Sequence, residues 1–95
     1  AYFQTWAAEN VPLSFKIEAD RMKNLLLPPE EFNKEIRVVL EERRLRTDDN
    51  PQALLWEASR AVAFQTSPYR QPVIGWAADI ENMTIDDLAH WYRRW

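Results

Sequence analysis

The sequence predicts a mostly α-helical chain of about four helices with one strand at its N-terminus. Two observations support the helices. Apolar residues recur at helical spacing in separate segments, and prolines or small polar residues stand where each of these segments begins. A third observation supports the strand, because residues 1–7 alternate weakly and carry aromatic side chains. The length of 95 residues allows one domain or part of one.

The composition describes a folded chain and excludes several kinds of site. The sequence is 46% hydrophobic and contains five Trp, whereas disordered chains are poor in aromatic residues. A net charge of −3 argues against nucleic-acid binding, which needs a basic face. The absence of cysteine excludes disulfides, thiolate metal ligands and a cysteine nucleophile. A single glycine excludes glycine-rich phosphate loops.

The N-terminal strand and the first helix come first in the chain. The strand, AYFQTWA at residues 1–7, needs a partner from another segment or another copy, since a lone strand is unstable. The first helix is predicted to begin at Asn10 as a cap, with Pro12 in its first turn. It is predicted to end before Pro28, because a residue preceding proline disfavours helical dihedral angles. The apolar stripe of this helix consists of Leu13, Ile17, Met22, Leu25 and Leu26.

A second helix is predicted from the two prolines to about Thr47. Proline suits a first helical turn. Glu30 and Glu31 follow at the positive end of the helix dipole, where carboxylates are favoured.

Two further helices are predicted after the second. Asn50, followed by a proline, is expected to cap a helix that ends near Gln65. Residues 66–80 are expected to form a loop, because they hold two prolines and the only glycine. Thr84 and Asp87 then have the spacing of a capping box. The stripe of the last helix is Leu88, Trp91, Tyr92 and Trp95, in which the tryptophans are expected to be core anchors.

The second helix carries two glutamates inside its apolar arc. With about 100° per residue and Glu35 at zero, Glu42 falls near −20° and Glu41 near −120°. The apolar arc extends from about −80° to +140° on the same wheel. Val38 and Val39 lie within this arc, near −60° and +40°. Glu35 and Glu42 are therefore predicted to share the apolar side, whereas Glu41 is predicted to face solvent.

Two interpretations explain carboxylates on an apolar side. A buried carboxylate needs a compensating partner or takes up a proton. In the first interpretation, the partner is a cation of a neighbouring helix, such as Arg21 or Arg60, or the two carboxylates lie at the rim of the apolar arc and stay exposed. Alternatively the two form a metal or catalytic site, since a carboxylate is a competent zinc ligand. Spacing alone leaves both interpretations open.

Other polar features are given structural interpretations. Arg43, Arg44 and Arg46 are interpreted as complementing the helix dipole on a solvated face. His90, the only histidine, lies off the apolar stripe of the last helix and is expected to be a plain surface residue. The segment SPYRQPVIG at residues 67–75 is interpreted as a structural loop.

Several segments in order resemble one family of enzymes. They are Tyr2–Phe3, EADRM (18–22), EEFNKEIRVVLEERR (30–44) with DDNP after it, FQTSPYRQPVIG (64–75), MTIDDL (83–88) and WYRRW (91–95). No single segment is diagnostic, but their order and spacing resemble the pitrilysin/insulinase/mitochondrial processing peptidase family of zinc metallopeptidases, the inverzincins. The resemblance covers essentially the whole chain.

The resemblance implies a fold, an activity and roles for both glutamates. The chain would be part of an α+β N-terminal catalytic domain that hydrolyses peptide bonds with a zinc-activated water. Glu42 matches the family's glutamate zinc ligand, and Glu35 matches an active-site acid near the metal. The family's H-x-x-E-H motif, with two histidine ligands and the catalytic glutamate, does not occur here. Residues 1–95 are therefore expected to be an internal fragment that lacks this upstream segment and the downstream strands.

The same resemblance bears on cofactors, partners and location. Zinc is expected in the longer protein and not in the fragment, which should be inactive. A peptide or protein substrate, a second homologous domain and the bacterial periplasm are implied. The fragment is expected to self-associate through uncovered apolar surface and an open strand edge. Two alternatives remain: a non-catalytic homologous domain with a structural or assembly role, and a stand-alone helical adaptor.

Overall fold

The computed structural model describes residues 3–95, which are mostly helical (74%) and contain no strand. The five α-helices of this part are α1 (Val11–Asn24), α2 (Pro29–Arg43), α3 (Pro51–Ala63), α4 (Ala77–Asn82) and α5 (Ile85–Arg94). Short 3-10 turns cover Ala8–Asn10 and Pro68–Arg70, and a π-helical turn, Arg44–Asp48, continues α2. The mostly helical character predicted from the sequence is confirmed.

The strand predicted for residues 1–7 is not confirmed. Ala1 and Tyr2 lie outside the described residues, and residues 3–7 are irregular. A strand forms only by pairing, and residues 3–95 offer no other strand to pair with. Gln4 instead joins this segment to α1 by donating a hydrogen bond to Glu18.

Local signals placed the starts of α3 and α5 correctly. The side-chain oxygen of Asn50 accepts from the backbone N–H groups of Gln52 and Ala53 at 3.0 and 3.2 Å. Thr84 and Asp87 form the predicted capping box, with 3.2 Å from the Asp87 N–H to the Thr84 hydroxyl. These caps need only neighbours in sequence, so the sequence predicted them.

Some helix boundaries differ from the prediction. The α-helical part of α2 ends at Arg43, and residues up to Asp48 form the π-helical turn. Leu25 and Leu26 lie beyond the end of α1 rather than in its stripe. The side chain of Asn10 makes no capping hydrogen bond.

The loop predicted for residues 66–80 is wrong over its last residues, because α4 begins at Ala77. The chain turns just before it, where Gly75 donates to Pro72 O at 3.0 Å and has a φ of +93°, which glycine adopts without a Cβ clash. Ile80 of α4 then buries its side chain to 3% exposure. The glycine that indicated a loop therefore marks a helix start as well.

The core of the described chain is small. Ile80 and Arg43 are the only buried residues among positions 3–95. The radius of gyration is 17.3 Å, whereas a compact chain of this length has roughly 12 Å. Trp91 and Trp95 are 60% and 76% exposed, so their prediction as core anchors is wrong for this chain. The reason is that no other described element covers the apolar side of α5 at these two rings.

None of the helices in the described part is both long enough and apolar enough to cross a membrane.

Candidate functional site

The apolar arc of α2 is divided into a packed half, against which other elements lie, and an open half, which covers the remaining part of the arc. On the helical wheel, the packed half extends from about +40° to +140° and holds Ile36 and Leu40. Both are half-buried, and α2 packs against α4. The open half contains Glu35, Val38 and Glu42; Glu35 is exposed and Val38 is 57% exposed. The apolar arc of α2 is therefore covered over only part of its width.

The two predicted site residues both lie in the open half of α2. The side chain of Glu42 is 42% exposed, and its carboxylate pairs with Arg46 at 2.8 Å, one turn further along. Glu35 makes no ion pair with any of residues 3–95. Arg60, one of the two cations suggested as a partner, instead donates to the carbonyl oxygen of Tyr69 at 2.8 Å. Exposure at the rim of the arc therefore describes both carboxylates, and a buried bridge to another helix does not.

Glu41 and Glu42 differ as the wheel predicts, although less sharply. The side chain of Glu41 is 55% exposed, against 42% for Glu42. Arg44 donates to Glu41 at 3.0 Å, and this hydrogen bond lowers the pKa of Glu41 below its ordinary value. Both glutamates thus form local surface pairs, and Glu42 is the less exposed of the two.

Arg43 is buried, and its interpretation as part of a solvated basic cluster is wrong. The residue is 5% exposed. Its two terminal nitrogens donate to the two carboxylate oxygens of Glu57 in α3 at 2.9 and 2.8 Å. One of them also donates to the carbonyl oxygen of Gly75 at 2.9 Å, and Asp48 lies 3.3 Å away. Arg44 and Arg46 are exposed, as predicted.

The ion pair of Arg43 and Glu57 affects both groups. The hydrogen bonds from Arg43 lower the pKa of Glu57, outweighing the opposite effect of burial. The same pair raises the pKa of Arg43. The sequence carried a signal for this burial, because Arg43 falls near +80° on the wheel, in the middle of the packed half.

A groove of about 590 Å³ opens beside Glu42, between the end of α2, α3 and the loop before α4. Its apolar wall includes Trp56, Val73 and Ile74. Its volume lies in the range of ligand-binding pockets. Glu42 therefore stands at the edge of a concave surface.

A complete metal site is not present within residues 3–95, where no three His, Asp or Glu side chains come together to hold an ion. His90 is exposed on α5, as predicted for a surface residue. The donor chemistry of Glu42 does fit zinc, because its carboxylate is accessible and carboxylate oxygen is a zinc ligand. Residues 3–95 thus offer one suitable ligand, and further ligands would have to come from elsewhere.

Comparison with known proteins gives three relatives. No family model matches the chain. The chain is 37% identical over 87 residues to the zinc protease PqqE of Helicobacter pylori, covering 92% of this chain and 20% of that protein. Uncharacterized zinc proteases of Rickettsia bellii and Rickettsia felis are 31% and 28% identical over 85 and 83 residues. The chain therefore spans about a fifth of the length of the curated relatives it matches.

Proposed function

We propose that this chain is a fragment of a pitrilysin-like zinc metallopeptidase, which its zinc-protease relatives support, and that it is part of the catalytic domain of a zinc-dependent endopeptidase that hydrolyses peptide bonds. In this proposal Glu42 is the glutamate ligand of the zinc ion, and Glu35 is a supporting acid beside it. The observation that carries the proposal is the position of both carboxylates in the open half of α2.

The surroundings of Glu42 support the ligand role. Its partner Arg46 is 77% exposed, and exposed ion pairs contribute little stability, so a metal ion can replace this partner. A bound zinc ion would polarise the substrate carbonyl and lower the pKa of a bound water. The groove beside Glu42 gives a peptide room to approach.

The spacing of the two glutamates suggests different roles for them. Seven residues in an α-helix correspond to about 10 Å along the axis. At that separation Glu42 can bind a metal ion, while Glu35 lies to one side of it. In this proposal Glu35 orients water or substrate and does not complete the ligand set.

The open half of α2 also supports the proposed α+β domain. Val38 is 57% exposed and Leu45, in the turn that follows, is 60% exposed. Apolar side chains exposed in this way are typical of a surface that packs against another element of a larger protein. We propose that a sheet of the longer protein covers them, with residues 1–7 as one of its strands. A second homologous domain would complete the substrate site, and the 95-residue chain alone would be inactive.

Two neighbouring glutamates provide the test of the zinc ligand. In the full-length protein, Glu42→Gln is expected to lower zinc content and peptidase activity together, because glutamine keeps the shape but loses the anionic oxygen. Glu41→Gln is the matched control and is expected to change neither quantity. Zinc content is measured by atomic emission, and activity by cleavage of a quenched fluorescent peptide.

The outcomes separate the proposal from its alternatives. Equal losses from both substitutions would show that the assignment of faces is wrong. A full-length protein that binds no zinc, and whose sequence lacks H-x-x-E-H before Ala1, would be the non-catalytic homologous domain instead.

A further inference from the structure

We infer that Arg43 is a positioning residue, whose buried ion pair with Glu57 holds the last turn of α2 in the rotation that presents Glu42 to the zinc ion. This inference rests on the proposed function of Glu42. Arg43 touches neither metal nor substrate in this account, and it acts only through the backbone it shares with Glu42.

The contacts of Arg43 come from three separate parts of the fold. Glu57 of α3 accepts two hydrogen bonds at 2.9 and 2.8 Å, and the carbonyl of Gly75 before α4 accepts one at 2.9 Å. Asp48, at the end of the π-helical turn, lies 3.3 Å away. A guanidinium bound in fork geometry is fixed in direction as well as in place. The end of α2 is thereby fixed against α3 and α4 at a single residue.

Adjacent residues of a helix are coupled in direction. Successive side chains differ by about 100° around the axis, so an Arg43 held inward directs Glu42 towards the open half. The α-helical pattern ends at Arg43, and the π-helical turn begins at Arg44. The pair to Glu57 therefore fixes the rotation of this last turn relative to α3. Single π-helical turns within helices are frequent at functional sites.

Stability alone is a poor explanation for this ion pair. Burying two charges carries a desolvation penalty that an apolar pair of similar volume avoids. The Nε atom of Arg43 is also buried without a hydrogen-bond partner, which is a further unfavourable contribution. What an apolar pair cannot supply is a fixed direction. The ion pair is therefore explained better by orientation than by stability.

The test separates orientation from stability in the full-length protein. The double variant Arg43→Met with Glu57→Leu replaces the buried pair by apolar side chains. The matched control, Arg44→Met with Glu41→Leu, removes an exposed pair at the same turn. Thermal unfolding of the zinc-free protein measures stability, and competition with a zinc chelator measures zinc affinity.

The double variant is expected to unfold at or above the wild-type temperature and to bind zinc about 10–100-fold more weakly, as for other residues that orient metal ligands. The control is expected to keep zinc affinity within about twofold, which is below the range for such orienting residues. Unchanged zinc affinity in the double variant would overturn the inference, and so would a parallel loss of stability and affinity.

A second variant covers the case in which the double variant does not fold. Arg43→Lys keeps the charge but cannot form the two-pronged contact with Glu57. It is expected to fold and to lose zinc affinity severalfold, and unchanged affinity would again overturn the inference. If Glu42→Gln itself leaves zinc binding intact, the proposed function fails, which is a different result from failure at Arg43 alone.

Discussion

Replacing Arg43 alone by methionine is expected to destabilise the packing of α2 on α3 far more than the same change at Arg44. Removing one partner of a buried ion pair costs about 3–5 kcal/mol, because the other charge remains buried without compensation. The Glu57 side chain is 14% exposed and keeps some contact with water, which places the value near the lower end, about 3 kcal/mol. Arg44 and its partner Glu41 are 51% and 55% exposed, so solvent replaces that pair readily.

Hydrogen–deuterium exchange on the full-length protein measures this difference locally. About 3 kcal/mol corresponds to roughly 150-fold faster exchange where the amides exchange through the affected opening. The relevant amides are those of the residues after Pro51 in the helix Pro51–Ala63, which contains Glu57. Arg43→Met is expected to show this acceleration, and Arg44→Met almost none. Similar exchange in the two variants would refute the argument that burial distinguishes these adjacent arginines.

Two further predictions concern the helix ends and the uncovered surface. The hydroxyl of Tyr92 donates to Met22 O at 2.7 Å and accepts from the Leu25 N–H at 3.3 Å, so Tyr92→Phe should lose about 1 kcal/mol and speed exchange of the Leu25 amide. The hydroxyl of Tyr69 makes no hydrogen bond to any residue in the described range, so Tyr69→Phe is the control and should leave exchange of the Leu25 amide unchanged. Equal acceleration in the two variants would contradict the role given to the Tyr92 hydroxyl. The 95-residue chain prepared alone should self-associate through the apolar surfaces of α2 and α5. Light scattering that shows a folded, strictly monomeric 11.3 kDa species at high micromolar concentration would contradict this.

Features that depend on neighbours in sequence were predictable from the sequence. The cap at Asn50 and the capping box at Thr84 and Asp87 involve residues no more than three apart. The difference between Glu41 and Glu42 follows from helical periodicity alone. The order of short segments also resembles one family of zinc metallopeptidases, and the relatives, which are named zinc proteases, support that resemblance. The role of Glu42 as a zinc ligand stays a prediction, because no group of three His, Asp or Glu side chains that could hold a metal ion occurs within residues 3–95.

Features that depend on distant residues appeared only in the tertiary structure. Periodicity placed Arg43 in the apolar arc, but its burial depends on Glu57, 14 residues later, and on the carbonyl of Gly75, 32 residues later. The same holds for the division of α2 into a packed and an open half, which is set by where α4 packs. The strand predicted for residues 1–7 is not seen over residues 3–7 for a related reason. Alternation gives a segment the pattern of a strand, whereas only pairing with another segment makes it one.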